Sequence, residues 1–302
     1  MVKKILLVFS FIFTSNYAYA ETLLEARKGF KTRIVKEVRE PAYSLKPPAG
    51  TVSLIKYQTE LGLMSAYLSE VPKSDSKLPA IIWITGGFPA GGIGESAWEA
   101  RPSSNDQSAK IYRQKGIVIM YPSFRGADGN VGVQESFYGE VNDVLSALEY
   151  IKKLEYVDSN NIYLGGHSTG GTLALLVAQS TDEFKAVFSF GPVAASTQYG
   201  AENVLHDLSS DKEIELRAPA LFMNAIKADT YILEGSEGNI DALRQLESYT
   251  MNQRVRFVEV EGSDHFELLQ PINEYIANKM LTNMDSPLIL TAKELLSAYG
   301  KN

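Results

Sequence analysis

Residues 161–174 read NIYLGGHSTGGTLA, and the order of residue types in this stretch decides the fold. The first four residues form a short apolar run that predicts a buried strand, and the apolar residues that follow Thr172 predict a helix. Between these two elements, Ser168 has Gly166 and Gly170 two positions to either side. A sharp turn from strand to helix needs such small neighbours, so that the backbone can pass closely while the serine hydroxyl projects alone. This G-x-S-x-G pattern predicts that Ser168 is a nucleophile.

Similar apolar runs recur along the chain and alternate with stretches of helical periodicity. The runs are 80–84, 116–121, 161–164, 186–190, 231–233 and 256–260. Continuous apolar runs of this length are typical of strands buried on both faces, and their alternation with helices predicts a parallel sheet. Residues 52–71 instead alternate between polar and apolar positions, which predicts an antiparallel hairpin. The predicted fold class is therefore α/β, with a mostly parallel central sheet, an N-terminal antiparallel hairpin and helices on both faces.

A serine hydroxyl is a weak nucleophile until a base takes its proton, and the chain has three histidines for this task. His167 is adjacent to Ser168 in the turn, so its side chain must point elsewhere. His206 lies ahead of the last two predicted strands. His265 directly follows the final predicted strand, and a loop there reaches the same edge of the sheet as the serine turn. The sequence therefore predicts His265 as the general base.

An acidic residue that orients this histidine is expected after the second-to-last strand, between the serine and the histidine in chain order. Three acids follow the run 231–233. Glu237 lies in the predicted tight turn at the strand end and is the favoured candidate. Asp241 begins the next predicted helix, where an acid commonly serves as a capping charge, and it remains the alternative. Glu234 is closer to the strand body and is the least favoured of the three.

Two backbone N–H groups are needed to bind the oxyanion of a tetrahedral intermediate. Thr169, the residue after the serine, supplies one of them by its position. The loop after the run 80–84 reads TGGFPAGG, and its glycines allow the main chain to approach a substrate. We expect Gly87 or Phe88 to be the second donor. A phosphate-binding role for this loop is disfavoured, because no lysine follows in the P-loop pattern.

With these pieces in place, the region from about residue 78 to 281 resembles the catalytic domain of the prolyl oligopeptidase and dienelactone hydrolase-like branch of the α/β-hydrolases. The similar elements are WITGG at 83–87, YPSFRG at 121–126, EVNDV at 140–144, YVD at 156–158, the serine turn, and DHF at 264–266. The resemblance implies an α/β-hydrolase fold and hydrolysis through a serine-bound acyl intermediate. It also implies a structural role, rather than a catalytic one, for Arg125 and Asp143.

The sequence departs from that branch at two positions. The branch usually has an aspartate where this chain has Gly238, and a histidine where this chain has Thr85. Members of that branch that cleave peptides typically gate the site with a large N-terminal β-propeller, whereas only about 60 residues lie between the expected cleavage site and the domain, so the resemblance does not favour a dedicated oligopeptidase. The resemblance therefore implies a serine hydrolase that cleaves an ester or a small amide. A serine-type peptidase acting on short peptides is the alternative within the enzymes, and a catalytically silent fold used as a binding protein is the alternative of another class.

The N-terminus has the features of a secretory signal peptide. Lys3 and Lys4 precede an apolar run over residues 5–13, and Ala18-Tyr19-Ala20 is the small-residue pattern that a signal peptidase accepts. We expect cleavage after Ala20 and a secreted or periplasmic protein, with a retained membrane anchor as the alternative. The run is about half the roughly 20 residues that a membrane span needs, and no later run reaches that length.

The chain is acidic and contains no cysteine, and both features exclude classes of function. Its net charge is −7, and removal of residues 1–20, which carry two lysines and no acidic residue, takes it to −9. Such a protein is a poor candidate for nucleic-acid binding. The missing cysteines exclude disulfides and thiolate metal sites, and no cofactor or metal is implied. The sequence makes no prediction of oligomeric state.

We divide the chain by these patterns into a signal peptide (1–20), an N-terminal extension (21–50), a catalytic domain (51–284) and a C-terminal tail helix (285–302). Residues 192–228 form the longest segment without a predicted strand. By element order this segment lies over the carboxyl edge of the sheet and forms either a small cap on the site or a surface connection. In the cap interpretation, Tyr199, His206 and Phe222 line the site.

Overall fold

The computed structural model of the chain describes residues 21–42, 46–70, 74–87, 94–99 and 101–300. The predicted signal peptide and the predicted oxyanion donor Phe88 lie outside these residues. In the part that is described, no helix is long and apolar enough to cross a membrane.

The described residues form one sheet of eight strands that confirms the predicted fold class. The strands are β1 (Val52–Thr59), β2 (Gly62–Ser69), β3 (Leu78–Ile84), β4 (Val118–Pro122), β5 (Val157–His167), β6 (Ala186–Phe190), β7 (Asp229–Gly235) and β8 (Val255–Val260). Their order across the sheet is β1-β2-β4-β3-β5-β6-β7-β8. The first hairpin is antiparallel, β2 is antiparallel to β4, and every pair from β4 to β8 is parallel. The carboxyl ends of β3 to β8 therefore meet at one edge of the sheet.

Helices connect these strands and cover both faces of the sheet. The α-helices are α1 (Leu23–Arg27), α2 (Ile111–Gln114), α3 (Glu140–Lys152), α4 (Thr169–Ala178), α5 (Asp211–Glu215), α6 (Ile240–Ser248), α7 (Leu269–Thr282) and α8 (Ala292–Tyr299). Short 3-10 turns occupy Glu95–Ala97, Ser103–Asn105, Ser196–Tyr199, Ala201–Asn203 and Pro219–Ala225. The predicted strands, the serine turn and the helix that follows the turn are all present.

Strand alternation divides the apolar residues between two cores. In β3, Ile82 and Ile84 face one cluster of buried side chains, whereas Ile81 and Trp83 face the other. Successive side chains of a strand point to opposite faces, so a continuous apolar run supplies both clusters at once. Helices α3, α4 and α6 bury their apolar residues in the first cluster, and α2, α7 and α8 bury theirs in the second. The helices of this three-layer arrangement hold the sheet in place, and with it the edge where the carboxyl ends of β3 to β8 meet.

Residues 21–42, which we call the strap, lie against the domain along most of their length. The buried Leu23 at the start of α1 donates its N–H to the carbonyl of Gln179 at the end of α4 (3.1 Å). Farther along the strap, Val35 donates its N–H to the carbonyl of Leu205 (2.8 Å). The guanidinium of Arg27 donates to main-chain carbonyls of two separate segments of the domain. The N-terminal extension is thus packed into the domain over these residues, which its charged composition did not predict.

Residues 192–228 contain three 3-10 turns and α5, and no strand. His206 and Phe222 are buried, whereas Tyr199 is half-buried and its hydroxyl lies 2.7 Å from the Thr172 hydroxyl in α4. The segment therefore rests on the helix that follows Ser168.

The C-terminal segment packs against β7 and β8. Residue Leu295 of α8 is buried in the second cluster. The hydroxyl of Tyr231 donates to the carbonyl of Leu288 (3.2 Å) and accepts the N–H of Leu290 (2.8 Å).

Candidate active site

Ser168 occupies the turn between β5 and α4 in a backbone conformation that is uncommon for any residue with a side chain. Its φ is 56° and its ψ is −118°. Strained conformations of this kind persist only where the surroundings hold them, and they cluster at functional sites. Here the Ser168 N–H donates to the carbonyl of Phe190 at the end of β6 (2.7 Å). Ser168 is half-buried while the residues next to it are buried, so the turn presents this side chain alone.

Glycines on both sides of Ser168 make this turn possible by the space they leave. A Cβ atom at Gly166 would collide with the carbonyl of Gly170, and one at Gly170 would collide with the carbonyl of Ile84 in β3. The pattern G-x-S-x-G is therefore required by close backbone packing at this turn, as the sequence argument supposed.

His265 lies in the loop between β8 and α7, at the same edge of the sheet. Its Nδ1 is 2.8 Å from Oε2 of Glu234. Because a carboxylate only accepts hydrogen bonds, Nδ1 carries the proton and Nε2 keeps a free lone pair. The side chain of His265 is 16% exposed and that of Glu234 is 1% exposed, so the ring can be reached while its partner is sealed off.

The acid that contacts His265 is therefore Glu234, which corrects the expected partner. Both Glu237 and Asp241 are exposed, and no hydrogen bond joins either of them to His265 in the described residues. Glu234 stands one residue before the end of β7, and its second oxygen, Oε1, accepts the N–H of Gly235 (2.7 Å). The glutamate side chain is long enough to reach the histidine from the strand itself, whereas the turn residues point to solvent.

One sequence signal for Glu234 was available. It is a charged residue that continues the apolar run Tyr231-Ile232-Leu233 into the end of a buried strand. A buried carboxylate is costly unless it is paired, so a glutamate at such a position calls for a partner at the strand end.

Gly191, which directly follows β6, makes room for the pair. Its φ is +61°, and a Cβ there would collide with the His265 ring and lie 2.9 Å from Oε2 of Glu234. The carbonyl of Phe190, the residue before Gly191, accepts the Ser168 N–H. Gly191 therefore lies between the serine turn and His265. No hydrogen bond joins Ser168 Oγ to the His265 ring in the described residues, and such bonds are often long in enzymes without substrate.

The predicted oxyanion loop passes next to Ser168. A Cβ at Gly86 would lie 2.9 Å from Cβ of Ser168. Gly87 has a φ of +116°, and its carbonyl accepts a hydrogen bond from the Thr169 hydroxyl (2.9 Å). Thr169 begins α4, so the helix itself provides no partner for its N–H. The described part of the loop thus stands where an oxyanion donor is required, while the alternative donor Phe88 is outside the described residues.

His167, which the sequence argument set aside, contacts the predicted base. Its ring centroid lies 4.5 Å from that of His265, and its Nε2 lies 3.0 Å from the main-chain carbonyl oxygen of His265. A carbonyl only accepts, so Nε2 donates. Burial, reinforced by the nearby His265 ring, lowers the pKa of His167 to about 3, and the ring is neutral near pH 7. His167 therefore fastens the loop that carries His265 to the serine turn.

No group of three or more histidine, cysteine, aspartate or glutamate side chains is placed to hold a metal ion within the described residues. The site consists of a serine, a paired imidazole and main-chain groups.

Comparison with known proteins places this arrangement in context. Residues 102–219 match the sequence model of the prolyl oligopeptidase family, a segment that contains Ser168 and ends before Glu234 and His265. The structure of an acylaminoacyl peptidase from Pyrococcus horikoshii superposes with a TM-score of 0.62 at 15% identity, over 81% of this chain and 44% of that one. An esterase from Pyrococcus furiosus gives a TM-score of 0.59 at 14% identity, over 82% of this chain and 97% of that one. The chain has the α/β-hydrolase fold.

A sequence relative of this chain is acylamino-acid-releasing enzyme 1 from Oryza sativa subsp. japonica. The two are 30% identical over 104 residues, which is 30% of this chain and 13% of the rice protein. This chain thus spans a small part of that relative and less than half of the Pyrococcus horikoshii peptidase.

Proposed function

We propose that this α/β-hydrolase is a serine hydrolase that cleaves an ester or a small amide through an acyl-enzyme. The observation that carries the proposal is the meeting of two features at one sheet edge. Ser168 is held on a strained, half-buried turn, and a His265–Glu234 pair stands beside that turn with its acid sealed and its base reachable. This is the arrangement of a nucleophile, a base and an orienting acid.

The reaction that this geometry supports has two halves. Ser168 Oγ attacks the substrate carbonyl carbon while Nε2 of His265 takes the hydroxyl proton. The tetrahedral oxyanion accepts hydrogen bonds from the N–H of Thr169 and from an N–H of Gly87 or Phe88. His265 then gives its proton to the departing alcohol or amine, which leaves an ester on Ser168.

In the second half, water attacks the acyl-enzyme. His265 removes a proton from the water and returns it to Ser168 Oγ as the acid product leaves. Throughout both halves Glu234 holds the ring in the Nδ1–H tautomer and stabilises the imidazolium that forms at each proton transfer.

The test compares wild type with Ser168→Ala on short-chain p-nitrophenyl esters and on aminoacyl p-nitroanilides. We expect ester turnover in the wild type, and a loss of at least about 10³-fold in kcat for Ser168→Ala. Ser180→Ala, in the turn that follows the same helix, is the matched control. A fluorophosphonate should label the wild type and Ser180→Ala, but not Ser168→Ala.

A peptidase that acts on short peptides is the second candidate. It is favoured by the match of residues 102–219 to the prolyl oligopeptidase family and by the acylaminoacyl peptidases among the similar structures. Faster kcat/KM on the anilides than on the esters would select it. If neither substrate turns over and no label attaches, the silent binding protein becomes the better interpretation.

We also propose that the protein is secreted or periplasmic. The support is the lysine pair, the apolar run and the Ala18-Tyr19-Ala20 pattern of the sequence. The first helix has its N-cap at Thr22, so a cut after Ala20 leaves that helix whole. Sequencing the N-terminus of exported protein should give Glu21, and an uncleaved Met1 would contradict the proposal.

The segment 192–228 is proposed as a small cap. Its support is the hydroxyl contact of Tyr199 with Thr172, one helical turn after Ser168. Because residues four apart share a helix face, Tyr199 stands on the Ser168 side of α4. Tyr199→Ala should therefore change the preference among acyl chain lengths, and an unchanged preference would favour a surface connection instead.

A further inference from the structure

Gly238 lies in the turn after β7, where it touches the carboxylate of Glu234. A Cβ atom added at Gly238 would lie 2.5 Å from Oε1 and 2.9 Å from Cδ of Glu234, and 3.1 Å from the backbone nitrogen of His265. These distances are shorter than ordinary contacts. Any side chain at position 238 would thus compete with the acid of the pair for the same space.

The glycine at this position is not explained by its backbone. Gly191, on the other side of the pair, has a φ of +61°, a conformation that favours glycine whatever its neighbours are. Gly238 has no such positive φ, so its backbone accepts an ordinary L-residue. What excludes a side chain at position 238 is the Glu234 carboxylate.

The space is also suited to a carboxylate that comes from position 238 itself. An aspartate there would carry its carboxyl carbon about 1.5 Å beyond Cβ, in the direction now occupied by the carboxyl group of Glu234. The backbone N–H of Gly235 already points to this space and donates to Oε1. With Glu234 shortened, an aspartate at 238 would find a hydrogen-bond donor and the His265 ring within its reach.

We propose that positions 234 and 238 share one carboxylate site, so that Glu234 and Gly238 form a matched pair and the acid of the triad can be transferred from the strand to the turn. The proposal rests on the proposed function, because it concerns the residue that orients His265. It makes Gly238 a positioning residue, whose lack of a side chain keeps the Glu234 carboxylate on Nδ1 of His265.

The experiment is a double-mutant cycle measured as kcat on p-nitrophenyl butyrate. Glu234→Ala should lose about 10³- to 10⁴-fold, the usual cost of an absent triad acid. Gly238→Asp alone should lose at least tenfold, because two carboxylates compete for one site. The double variant Glu234→Ala, Gly238→Asp should be at least tenfold faster than Glu234→Ala. Glu237→Ala, which removes an exposed acid of the same turn, is the control and should match the wild type.

A second pair of variants keeps the proposal testable if the aspartate variants fold poorly. Gly238→Ala should lower kcat at least tenfold with Glu234 present, and should have no further effect in the Glu234→Ala background, where the colliding carboxylate is gone. An equal loss from Gly238→Ala in both backgrounds, or a folded double variant no faster than Glu234→Ala, would overturn the proposal.

Failure of the proposed function is distinguishable from these outcomes. It would appear as a wild type that neither turns over the ester nor takes the fluorophosphonate label. The cycle is interpreted on enzyme that labels at Ser168, with thermal unfolding followed for every variant.

Discussion

Two buried carboxylates, Glu234 and Asp143, each hold a basic side chain at an edge of the sheet, and the two pairs differ in what they leave free. Asp143 in α3 accepts from Nε and Nη2 of Arg125 and from its backbone N–H, at 2.8–3.0 Å. Arg125 also donates from Nη1 to Glu135 and from Nη2 to Glu60. Burial opposes the charge on Arg125, but the hydrogen bonds and charge of Asp143 prevail and raise its pKa above the ordinary value. Each guanidinium nitrogen of Arg125 thus donates to a carboxylate.

In the Glu234–His265 pair the base is not saturated with hydrogen bonds. The carboxylate is sealed and satisfied by two donors, whereas the base uses one nitrogen for its partner and has no hydrogen bond on the other in the described residues. A saturated pair stabilises the fold, and a pair with a free nitrogen that can be reached can move a proton. Both acids are buried, so burial does not distinguish the structural role from the catalytic one. The difference lies in the base, because only His265 keeps a nitrogen without a hydrogen bond in the described residues.

Glu234→Gln should have the largest effect of the four substitutions that test these two pairs and their neighbours. The amide keeps the size of the side chain and loses the charge that favours the Nδ1–H tautomer and the imidazolium. We expect kcat on p-nitrophenyl esters to fall about 10³- to 10⁴-fold, with a change in thermal midpoint of no more than a few degrees. A kcat within tenfold of wild type would show that the pair is not part of the reaction.

Asp143→Ala should produce the reverse result. Removing one partner of a buried ion pair leaves the other charge uncompensated, at a cost of about 3–5 kcal/mol in the free energy of unfolding. Urea denaturation measures this loss, and Asp241→Ala, an exposed acid, is the control. The protein that remains folded should keep its kcat within a few-fold. An unchanged urea midpoint would contradict the structural role assigned to Asp143.

His167→Phe tests the link between the two sides of the site. Phenylalanine keeps a ring against His265 and removes the donor to the His265 carbonyl, so the loop loses a buried hydrogen bond worth about 1–2 kcal/mol. We expect kcat/KM to fall about tenfold. His167→Gln, which can restore a donor, should recover part of the loss. A kcat/KM of His167→Phe equal to that of the wild type would mean that the ring contact alone is enough.

Glu140 is an intermediate case, since this buried carboxylate has one partner. Its Oε1 accepts the N–H of Glu135 (2.6 Å), and its Oε2 has no partner among the residues that the structure describes. Burial raises the pKa of Glu140 from 4.5 to about 7. The unfolded chain therefore loses this proton at a lower pH than the folded one, and the folded state loses stability as the pH rises from 4.5 through 7.

Glu140→Gln removes this titration while keeping the acceptor for Glu135. The thermal midpoint of the variant should gain on that of the wild type by a few degrees between pH 5 and pH 8. This is the smallest of the four effects. A difference that stays constant with pH would show that Glu140 holds no proton in the folded protein.

The fold was predictable because its signals are local. Apolar runs mark strands such as β6 wherever they occur, and the glycines around Ser168 record a steric demand within five residues of sequence. The same holds for His265, which follows the last strand directly. These features depend on neighbours in the chain, so periodicity and spacing reveal them.

The acid was not predictable by the same means. The contact of Glu234 with His265 depends on the length of the Glu234 side chain and on the lack of a side chain at Gly238. Only tertiary packing brings these groups together. The strap was missed for a related reason. Several of its hydrogen bonds join backbone groups far apart in sequence, and such bonds leave little mark on residue type.

The strap also bears on the order in which the molecule assembles. Arg27 donates to the carbonyl of Leu216, 189 residues farther along the chain, and to that of Tyr138, 111 residues away. Closing such long loops costs entropy that is recovered only after both distant segments are in place. The strap is synthesised before every other described segment, yet it has no surface to dock on until most of the chain has been made. During synthesis the apolar Leu23 therefore lacks its native partner, the carbonyl of Gln179, until more than half of the chain has been made.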